Sequence, residues 1–503
     1  MASITIDTKV ASKITDKALL KTSAIIGGNW VAAKSGKVYD VVDPATSITV
    51  AQVPDMATED AKAAIEAAKL AFPAWSKLLA RERATLLRKW YDLIMANSQD
   101  LAAIMVAECG KPMSEAKGEM GYAASFIQWF AEEAPRAYGD VIPQDKHGRR
   151  LLVIKQAIGV CGLITPWNFP AAMITRKAGA ALAAGCTVVI KPAPETPLSA
   201  LALVELANRA GIPKGVLNVV TASKQLTPEV GLELSTNPTV RKISFTGSTP
   251  VGKLLLKQAA STVKKASMEL GGNAAMIIFD DADLDAAVTG VLASKYRNTG
   301  QTCVCINRLY VQSKVYDEFA SKLAAKVKET LKVGHGFDPS STVGPLITKE
   351  GFTKVKRHVD DAVSKGATAV VGGKPHELGG NFYHPTILTN MSKNMLIHEE
   401  ETFGPVAALF KFETEEEVVA LANATPFGLA GYFYSNNISR IFRVAEAIEC
   451  GMVGINDGMI SNEVAPFGGI KESGLGREGS KYGLAEYMED KYLAFGNIVE
   501  SKL

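Results

Sequence analysis

The sequence is poor in cysteine and lacks long apolar runs. Six cysteines among 503 residues form no disulfide framework, which favours a reducing compartment. The apolar stretch from 178 to 190 ends at Lys191 and is shorter than the roughly 20 residues that cross a bilayer. We therefore expect a soluble chain without a disulfide scaffold and without a membrane-spanning segment.

The sequence also lacks a large excess of either charge, because the formal net charge is only +3 and no block of basic residues stands out. This balance argues against nucleic acid or an anionic membrane as the main partner. No second cysteine pair follows Cys303 and Cys305, and the histidines are scattered, at positions 147, 335, 358, 376, 384 and 398. We therefore predict that the chain has no metal site.

The two ends of the chain carry opposite indications about location. Residues 1–21 include Asp7 and Asp16, and no arginine precedes Arg81, which argues against a mitochondrial leader. The last three residues, Ser501-Lys502-Leu503, match the peroxisomal address that is read at a free C-terminus. We expect a peroxisomal protein, or a cytoplasmic one if that address is not used.

Strand and helix patterns alternate from about residue 150, which predicts an α/β fold with a parallel sheet. At this length we expect two large α/β units rather than one core. A β-rich run extends from Leu151 to Thr165, and a strand is expected from Cys186 to Lys191. Helices are predicted after Pro170, over 83–96, over 113–134, and from Thr58 to a stop at Pro73.

The candidate nucleophile is Cys303, which follows a glycine-containing bend in the segment 298–305. A thiolate there could attack an electrophile, although a single cysteine is more often a buried structural residue. Glu269 stands next to paired glycines in Met268-Glu269-Leu270-Gly271-Gly272-Asn273, 34 positions before the cysteine. Taken alone, Glu269 would be interpreted as a surface charge.

These two segments resemble the signature motifs of the aldehyde dehydrogenase superfamily, and the resemblance covers nearly the whole chain. It continues through the segments 165–170 (TPWNFP), 190–193 (IKPA), 245–248 (FTGS), 401–405 (ETFGP) and 466–469 (PFGG). It implies a Rossmann-type cofactor domain over 22–139 and 159–270, a catalytic domain over 271–466, and an oligomerisation element over 140–158 and 485–500. A homotetramer or homodimer is expected.

The resemblance also implies a role for each catalytic residue. Cys303 attacks an aldehyde, and the Asn168 amide with the Cys303 backbone N–H stabilises the alkoxide. Hydride then leaves for the nicotinamide, and Glu269 activates the water that hydrolyses the thioester. A nicotinamide-independent cysteine acyl hydrolase stays open as an alternative, because a thiol, a glutamate and an amide also suit that chemistry.

The segment 245–252 predicts a strand, a turn and a helix start, which is a place where pyrophosphate can bind. Gly247 is expected to let the backbone turn, Ser248 or Thr249 to cap the helix, and Pro250 to open it. On pattern alone an ordinary helix cap is as good an interpretation. The resemblance favours a cofactor site and implies that its residues are Thr165, Trp167, Lys191, Gly247, Ser248, Glu401 and Phe403.

Cofactor preference depends on the residue after Lys-Pro-Ala. Members that prefer NAD often carry glutamate there, which repels a 2′-phosphate, whereas this chain has Pro194. The neighbouring Glu195 could replace that carboxylate in part. We therefore expect use of NADP and NAD with a preference for NADP.

Two arginines suggest the substrate. Arg176 lies in an otherwise apolar helix and needs an anion, and Arg297 precedes Cys303 by six positions. Both could bind a carboxylate at the far end of a short aldehyde, or both could form structural salt bridges. Together with Ser461 they resemble the succinate-semialdehyde dehydrogenases, which implies oxidation of succinic semialdehyde to succinate in 4-aminobutyrate degradation. Glutarate semialdehyde, one methylene longer, stays open.

Cys305 lies two positions after the nucleophile. In related succinate-semialdehyde dehydrogenases the matching pair can close a disulfide that blocks the nucleophile. The resemblance therefore implies a redox switch between Cys303 and Cys305, and a passive second thiol is the alternative.

Overall fold

The computed structural model describes residues 7–498, and its largest sheet has eight strands. The five central strands run parallel, and the outer ones pair antiparallel. In spatial order the strands are Asn29–Val31, Ala24–Ile26, Leu217–Val219, Thr187–Lys191, Val160–Ile164, Val240–Thr246, Lys265–Glu269 and Gly474–Leu475. The α/β prediction with a Rossmann-type parallel sheet is confirmed.

The strand order of this sheet reverses beside Val160–Ile164. The next two strands along the chain are added on one side of it, and Val240–Thr246 is added on the other. In open α/β sheets, ligands bind in the crevice outside the carboxyl ends of the strands at such a reversal. Residues 165–168 and 247–248 follow these strands directly, so the fold places both predicted segments at that crevice.

A second sheet has seven strands, which are parallel except for one edge strand. In spatial order they are Thr368–Val371, Thr386–Thr389, Val406–Phe412, Ile306–Gln312, Ala274–Ile278, Ala430–Tyr434 and Met452–Ile455. Cys303 lies just before Ile306–Gln312, and Phe403 lies just before Val406–Phe412. The amino-terminal edge of this sheet therefore carries the predicted nucleophile toward the crevice of the first sheet.

The predicted β-rich run from Leu151 to Thr165 divides between two sheets. Arg150–Ala157 pairs with Asp140–Ile142 and Met488–Phe495 in a three-stranded antiparallel sheet, whereas Val160–Ile164 belongs to the large sheet. Gly159, with φ 132°, lies between the two strands and permits the change of direction. Two small ladders complete the strands: Val38–Val42 with Thr49–Pro54, and Phe427–Gly428 with Ile470–Lys471.

The helices cover both faces of the sheets. The α-helices are Thr8–Ser12, Thr58–Lys77, Ala80–Ala96, Ser98–Cys109, Met113–Glu133, Ala172–Ala184, Pro197–Arg209, Thr227–Thr236, Thr249–Ala259, Leu284–Val291, Tyr316–Thr330, Lys349–Ser364, Leu396–Glu399, Glu415–Asn423, Ile438–Ala447 and Ser480–Ala485. Short 3₁₀ turns lie at Lys17–Leu19, Ala134–Arg136, Ala260–Thr262, Arg297–Gly300 and Ser313–Val315, with a π-helical turn at Leu292–Tyr296. None of the helices at 7–498 is both long and apolar enough to span a membrane.

The helix from Thr58 does not stop at Pro73, so that prediction was wrong. The helix continues to Lys77, and Trp75, beyond the proline, is 1% exposed. Burial of this indole offsets the loss of the one backbone hydrogen bond that proline cannot donate.

The helix Ala172–Ala184 is buried along its whole length, including Arg176 and Lys177. The helix ends at Gly185, whose φ of 95° is the left-handed conformation that commonly follows the last helical residue and favours glycine. Two buried charges on an Ala-rich helix need partners, and these lie in the site described below.

Candidate active site

Two cavities meet at Cys303. The first, the sheet-edge cavity, has a volume of about 270 Å³ and is lined by Pro166, Trp167, Asn168, Thr246, Gly247, Ser248, Leu270, Gly271, Cys303, Lys354, Glu401 and Phe403. The second, the arginine pocket, is narrow and is lined by Tyr122, Phe169, Met173, Arg176, Arg297, Thr302, Cys303, Val304, Ser461 and Phe467. A thiol between two cavities can face one molecule on each side.

The loop before Cys303 is held in an unusual backbone conformation. Asn298, Thr299 and Gly300 all have positive φ, and a β-carbon at Gly300 would lie 2.1 Å from the Gly404 carbonyl oxygen. Only glycine fits there. The Asn298 backbone N–H donates to Glu115 at 2.9 Å, which anchors the loop to the helix Met113–Glu133.

Burial raises the pKa of the Cys303 thiol to about 12, while nearby Arg176 acts to lower it. The neighbouring carboxyls of Glu269 and Glu401 raise it further. In this state the sulfur is a thiol at neutral pH. Attack on an electrophile therefore needs loss of that proton as the reaction begins.

Asn168 lines the sheet-edge cavity beside Cys303 and is fixed by its neighbours. Its Nδ2 donates to the Gln301 carbonyl at 3.1 Å, and its own carbonyl accepts from Lys111 Nζ at 2.8 Å and from Asn298 Nδ2 at 2.9 Å. Lys111 is buried and paired with Glu119. Because an amide carries two N–H donors, one stays available to an oxyanion in the cavity.

Glu269 lies at the end of the strand Lys265–Glu269 and is 2% exposed. Burial raises the pKa of this carboxyl well above its usual range, and the nearby Glu478 adds to the effect. Its Oε2 has no hydrogen-bond partner among the described residues. A β-carbon at Gly468 would lie 2.9 Å from Oε1, so glycine in the segment 466–469 leaves room for the carboxyl.

Glu269 does not line either cavity in this structure. It lies instead toward the charged groups on the helix Ala172–Ala184, since Arg176 and Lys177 both lower its pKa. An unpaired buried carboxyl with a raised pKa nevertheless has the properties of a general base that waits for a water.

Arg176 already has an anionic partner, so the alternative of a structural salt bridge is present at this residue. Its Nε forms an ion pair with Glu478, which also binds Lys177, and its guanidinium lies 4.5 Å from the centre of the Phe467 ring. Arg176 Nη2 is nevertheless buried and has no hydrogen-bond partner in the described chain. Nη2 of Arg176 can therefore donate a hydrogen bond to another acceptor.

Arg297 and Ser461 lie in the same pocket as Arg176. The Arg297 guanidinium packs 5.2 Å from the centre of the Phe169 ring, and its Nε is also buried without a partner within residues 7–498. Ser461 lies beside Tyr122, whose pKa is raised by burial. A wider cavity of about 250 Å³ adjoins the pocket and shares Tyr122, Phe169, Arg297 and Ser461 with it.

The residues predicted to bind a cofactor lie around the crevice, and their unpaired groups fit a dinucleotide. Thr165 buries a hydroxyl without a partner among the described residues, and so does Thr246, which the sequence analysis did not predict. Burial lowers the pKa of Lys191 to about 8, and the neighbouring Glu195 opposes that shift. Trp167 and Phe403 pack edge to face at 5.6 Å and form an apolar wall.

Glu401 lies between the two sheets. Its Oε1 accepts from the Gly272 backbone N–H at 3.2 Å, and burial raises its pKa to about 7. A partly buried carboxylate at this place suits ribose hydroxyls, which donate hydrogen bonds.

The predicted strand, bend and helix start at 245–252 are present, and only the capping hydrogen bond is absent. Gly247 is not in the left-handed region; glycine is needed because a β-carbon would lie 2.4 Å from the Phe245 ring. Ser248 occupies the N-cap position, but its side chain makes no capping hydrogen bond, and Pro250 is the second residue of the helix Thr249–Ala259. The uncapped end leaves backbone N–H groups for an anionic ligand.

Cys305 is buried, and burial raises the pKa of its thiol. Its Sγ donates to the Lys295 carbonyl at 3.2 Å, and both Cys303 and Cys305 are free thiols. In this conformation the second thiol is held by the π-helical turn Leu292–Tyr296.

Sequence reasoning did not find several residues of the site. Tyr122 was assigned only to a helix, and Phe169 and Phe467 lie inside quoted motifs without an assigned role. Lys354 and Glu478 gave no local signal, because each reaches the site only through packing between distant segments.

Comparison with known proteins agrees with this geometry. A profile described as the aldehyde dehydrogenase family matches residues 30–493. The succinate-semialdehyde dehydrogenase (NADP(+)) GabD of Escherichia coli K12 is 59% identical over 484 residues, 96% of this chain and 100% of that protein. A glutarate-semialdehyde dehydrogenase of Pseudomonas aeruginosa is 59% identical over 486 residues, 97% of this chain and 100% of that protein. The crystal structure of an NADP dependent enzyme of E. coli, 59% identical, superposes with a TM-score of 0.95 and covers 96% of this chain and 100% of that chain. This protein, with Cys303 between its two cavities, therefore belongs to the aldehyde dehydrogenase family.

Proposed function

We propose that the protein oxidises succinic semialdehyde to succinate, in the degradation of 4-aminobutyrate, with NADP or NAD as the oxidant. The observation that carries the proposal is a pair of unpaired buried donors, Arg176 Nη2 and Arg297 Nε, in the pocket that also holds Cys303. Leaving buried charged donors unpaired is costly. A short substrate with an aldehyde at one end and a carboxylate at the other offers both arginines an acceptor and the thiol an electrophile.

The chain's own residues supply the steps of the reaction. Cys303 loses its proton to solvent as its sulfur adds to the aldehyde carbon, and the free N–H of the Asn168 amide donates to the oxygen that becomes negative. The predicted cofactor residues, among them Gly247, Ser248 and Glu401, would hold the nicotinamide cofactor, which would supply the hydride acceptor needed to turn the adduct into a thioester. Glu269 then takes a proton from the water that releases the acid.

Both NADP and NAD are proposed as cofactors, with a preference for NADP. Pro194 and Glu195 line a cavity of about 340 Å³ together with Ser223 and Lys224. Pro194 carries no charge to repel a 2′-phosphate, and Ser223 and Lys224 offer a hydroxyl and an ammonium to it. The E. coli relative is named for NADP(+), which supports this preference.

Glutarate semialdehyde is the second candidate substrate, because the P. aeruginosa relative is named for it. One methylene changes the free energy of binding by only about 1–3 kcal/mol, so both semialdehydes are candidates.

The test of the proposed function is a steady-state comparison of succinic semialdehyde, glutarate semialdehyde and hexanal, each with NADP and NAD. We expect the highest kcat/KM for succinic semialdehyde with NADP. A preference for hexanal would refute the role of the arginines, and turnover without reduction of the nicotinamide would favour the acyl hydrolase.

Replacing Arg297 by Gln is expected to lower kcat/KM for succinic semialdehyde about 10–100-fold. The substrate carboxylate loses a charge-assisted hydrogen bond, whereas an uncharged aldehyde loses nothing. Steady-state rates with succinic semialdehyde and hexanal measure the difference. Arg297→Lys, which keeps the charge, should give an intermediate loss, and Arg443→Gln, at a surface ion pair, should give none. Equal losses for both aldehydes would contradict carboxylate binding.

Cys305 is proposed to protect Cys303 by a reversible disulfide. Peroxide oxidises the Cys303 thiol to a sulfenic acid with release of water, and the Cys305 thiol then displaces a second water from the sulfenic acid to form the S–S bond. Closure must break the hydrogen bond from Cys305 to Lys295.

After treatment with peroxide and then dithiol, wild type should regain its activity and Cys305→Ala should not. Without Cys305 the sulfenic acid proceeds to the irreversible sulfinic acid. The measurement is residual activity together with the mass of the peptide that contains residue 303. Cys450→Ala should recover as wild type does. Identical recovery in wild type and Cys305→Ala would leave Cys305 as a passive thiol.

We further propose the domain division stated above, with 22–139 and 159–270 binding the cofactor, 271–466 carrying catalysis, and 140–158 with 485–500 mediating assembly. Exposed apolar side chains on the three-stranded sheet support a dimer or tetramer: Val141 is 80% exposed, Tyr492 54% and Phe495 46%.

The tripeptide Ser501-Lys502-Leu503 lies outside the described residues, so the peroxisomal address stays a prediction.

A further inference from the structure

The histidines that are scattered in the sequence do not all lie apart in the fold. His376 and His384 face each other on the hairpin that precedes the strand Thr386–Thr389, and their ring centres are 4.4 Å apart. With Glu377 they form the one group of three or more His, Cys, Asp or Glu side chains at positions 7–498 whose donor atoms all lie within 4.8 Å of one another.

The hairpin sets this arrangement through its register. Pro375 and Tyr383 form an antiparallel bridge, the His376 N–H donates to the Phe382 carbonyl at 3.0 Å, and the His384 N–H donates to the Lys374 carbonyl at 3.3 Å. His376 and His384 are therefore diagonal neighbours on the same face, a position from which long side chains reach each other.

We propose that His376, Glu377 and His384 form a binding site for a divalent transition-metal ion of the zinc and nickel class. Imidazole nitrogen with one carboxylate oxygen is a donor set that suits these ions. Three protein ligands leave a fourth position for water, so the ion would bind more weakly than in a closed four-ligand site.

The distances within the group fit a tetrahedral ion. Donor atoms around such an ion lie about 3.4 Å apart when each bond is about 2.1 Å long. Glu377 Oε2 lies 2.9 Å from His384 Nε2 and 3.9 Å from His376 Nε2, on either side of that value. Small rotations of the exposed Glu377 side chain are enough to equalise the two distances, because it is 64% exposed.

Two neighbours compete with the ion and set its affinity. Lys374 Nζ donates to Glu377 Oε1 at 2.8 Å, so the carboxylate can keep this lysine on one oxygen while the other faces the histidines. The Leu378 N–H donates to His376 Nδ1 at 3.2 Å. When Nε2 binds the ion, the imidazole proton lies on Nδ1, so this hydrogen bond breaks and the exposed Leu378 N–H turns to water instead. The ammonium also repels a cation, which favours affinity well below that of a structural zinc site.

The consequence of binding is local. An ion held by His376 and His384 joins the two strands of the hairpin, and the second strand leads into Thr386, whose N–H donates to the Pro405 carbonyl at 2.8 Å. The group lies outside the linings of the sheet-edge cavity and the arginine pocket. We therefore expect the ion to stabilise the hairpin and to leave the proposed dehydrogenase chemistry intact.

Zinc titration of the tag-free full-length protein tests the site. The titrations use a Cys303→Ser background, so that the candidate nucleophile does not bind the ion. We expect one equivalent of Zn²⁺ to bind to the parent, and His376→Gln or His384→Gln to weaken binding by more than about tenfold. His147→Gln, at an exposed histidine beside a different sheet, serves as the matched control and should bind as the parent does.

Hydrogen exchange provides a second readout that does not depend on catalysis. Added Zn²⁺ should slow exchange over 372–385 in the parent and in His147→Gln, and not in His384→Gln. No binding to the parent, equal affinity in all variants, or slowed exchange elsewhere than in the hairpin would each overturn the proposal. Matching thermal unfolding curves without zinc establish that every variant is folded.

Discussion

Replacing Cys303 by Ala abolishes oxidation of succinic semialdehyde, with an expected loss of at least about 10⁴-fold in kcat. The reason is that the thiol forms the adduct from whose carbon the hydride leaves, and among residues 7–498 no other nucleophilic side chain lines both cavities. The truncation removes one sulfur atom from a half-buried position, so folding and cofactor binding should persist. Reduction of NADP at saturating aldehyde measures the loss.

Cys450→Ala is the matched control for this substitution. Cys450 is also half-buried and free, but it lines neither cavity at Cys303, so its loss should leave kcat within about twofold of wild type. Binding of NADPH to Cys303→Ala, followed by fluorescence, should match wild type. Residual turnover above a few per cent in Cys303→Ala would show that another residue starts the reaction.

Replacing Glu269 by Gln stalls the reaction after the first turnover. The glutamine keeps the shape of the side chain but cannot accept a proton, so hydrolysis of the thioester should slow by about 10²–10⁴-fold. Formation of the thioester should continue, because the proposed role of Glu269 begins only after the hydride has left. Rapid mixing should show a burst of one NADPH per active site, with the acyl group retained on Cys303 in the mass spectrum.

The pH dependence of steady-state turnover distinguishes Glu269 as a general base from Glu269 as a purely structural residue. Burial and Glu478 raise the pKa of Glu269, so the carboxyl is protonated below that pKa and cannot act as a base. Steady-state turnover in wild type should therefore rise with pH through the raised pKa, and this rise should vanish in Glu269→Gln.

Glu472→Gln, at a surface ion pair with Lys253, is the control for Glu269→Gln and should keep both the rise with pH and the steady-state rate. A linear time course without a burst in Glu269→Gln, or an unchanged pH profile, would mean that another group activates the water.

Much of the first sheet could be predicted, because short apolar runs with Gly and Pro between them determine strands and turns locally. The strand Thr187–Lys191 and the helix Ala172–Ala184 lie where their patterns indicated. The run from Leu151 to Thr165 could not be divided correctly, since two adjacent strands look alike in sequence even when they join different sheets. The helix through Pro73 was missed because its continuation depends on burial of Trp75 against distant residues.

The sequence by itself determined the family and the candidate residues Cys303, Glu269 and Asn168, because these stand in contiguous motifs whose spacing is fixed along the chain. Tertiary structure alone decided what surrounds them. Glu478, which binds Arg176 and Lys177, lies 301 positions from Lys177, and Tyr122 reaches the arginine pocket from a separate helix. In the same way the hairpin register, rather than any spacing rule, brings His376 to His384. Buried charges and facing side chains depend on which segments pack together, and that is settled only when the whole chain has folded.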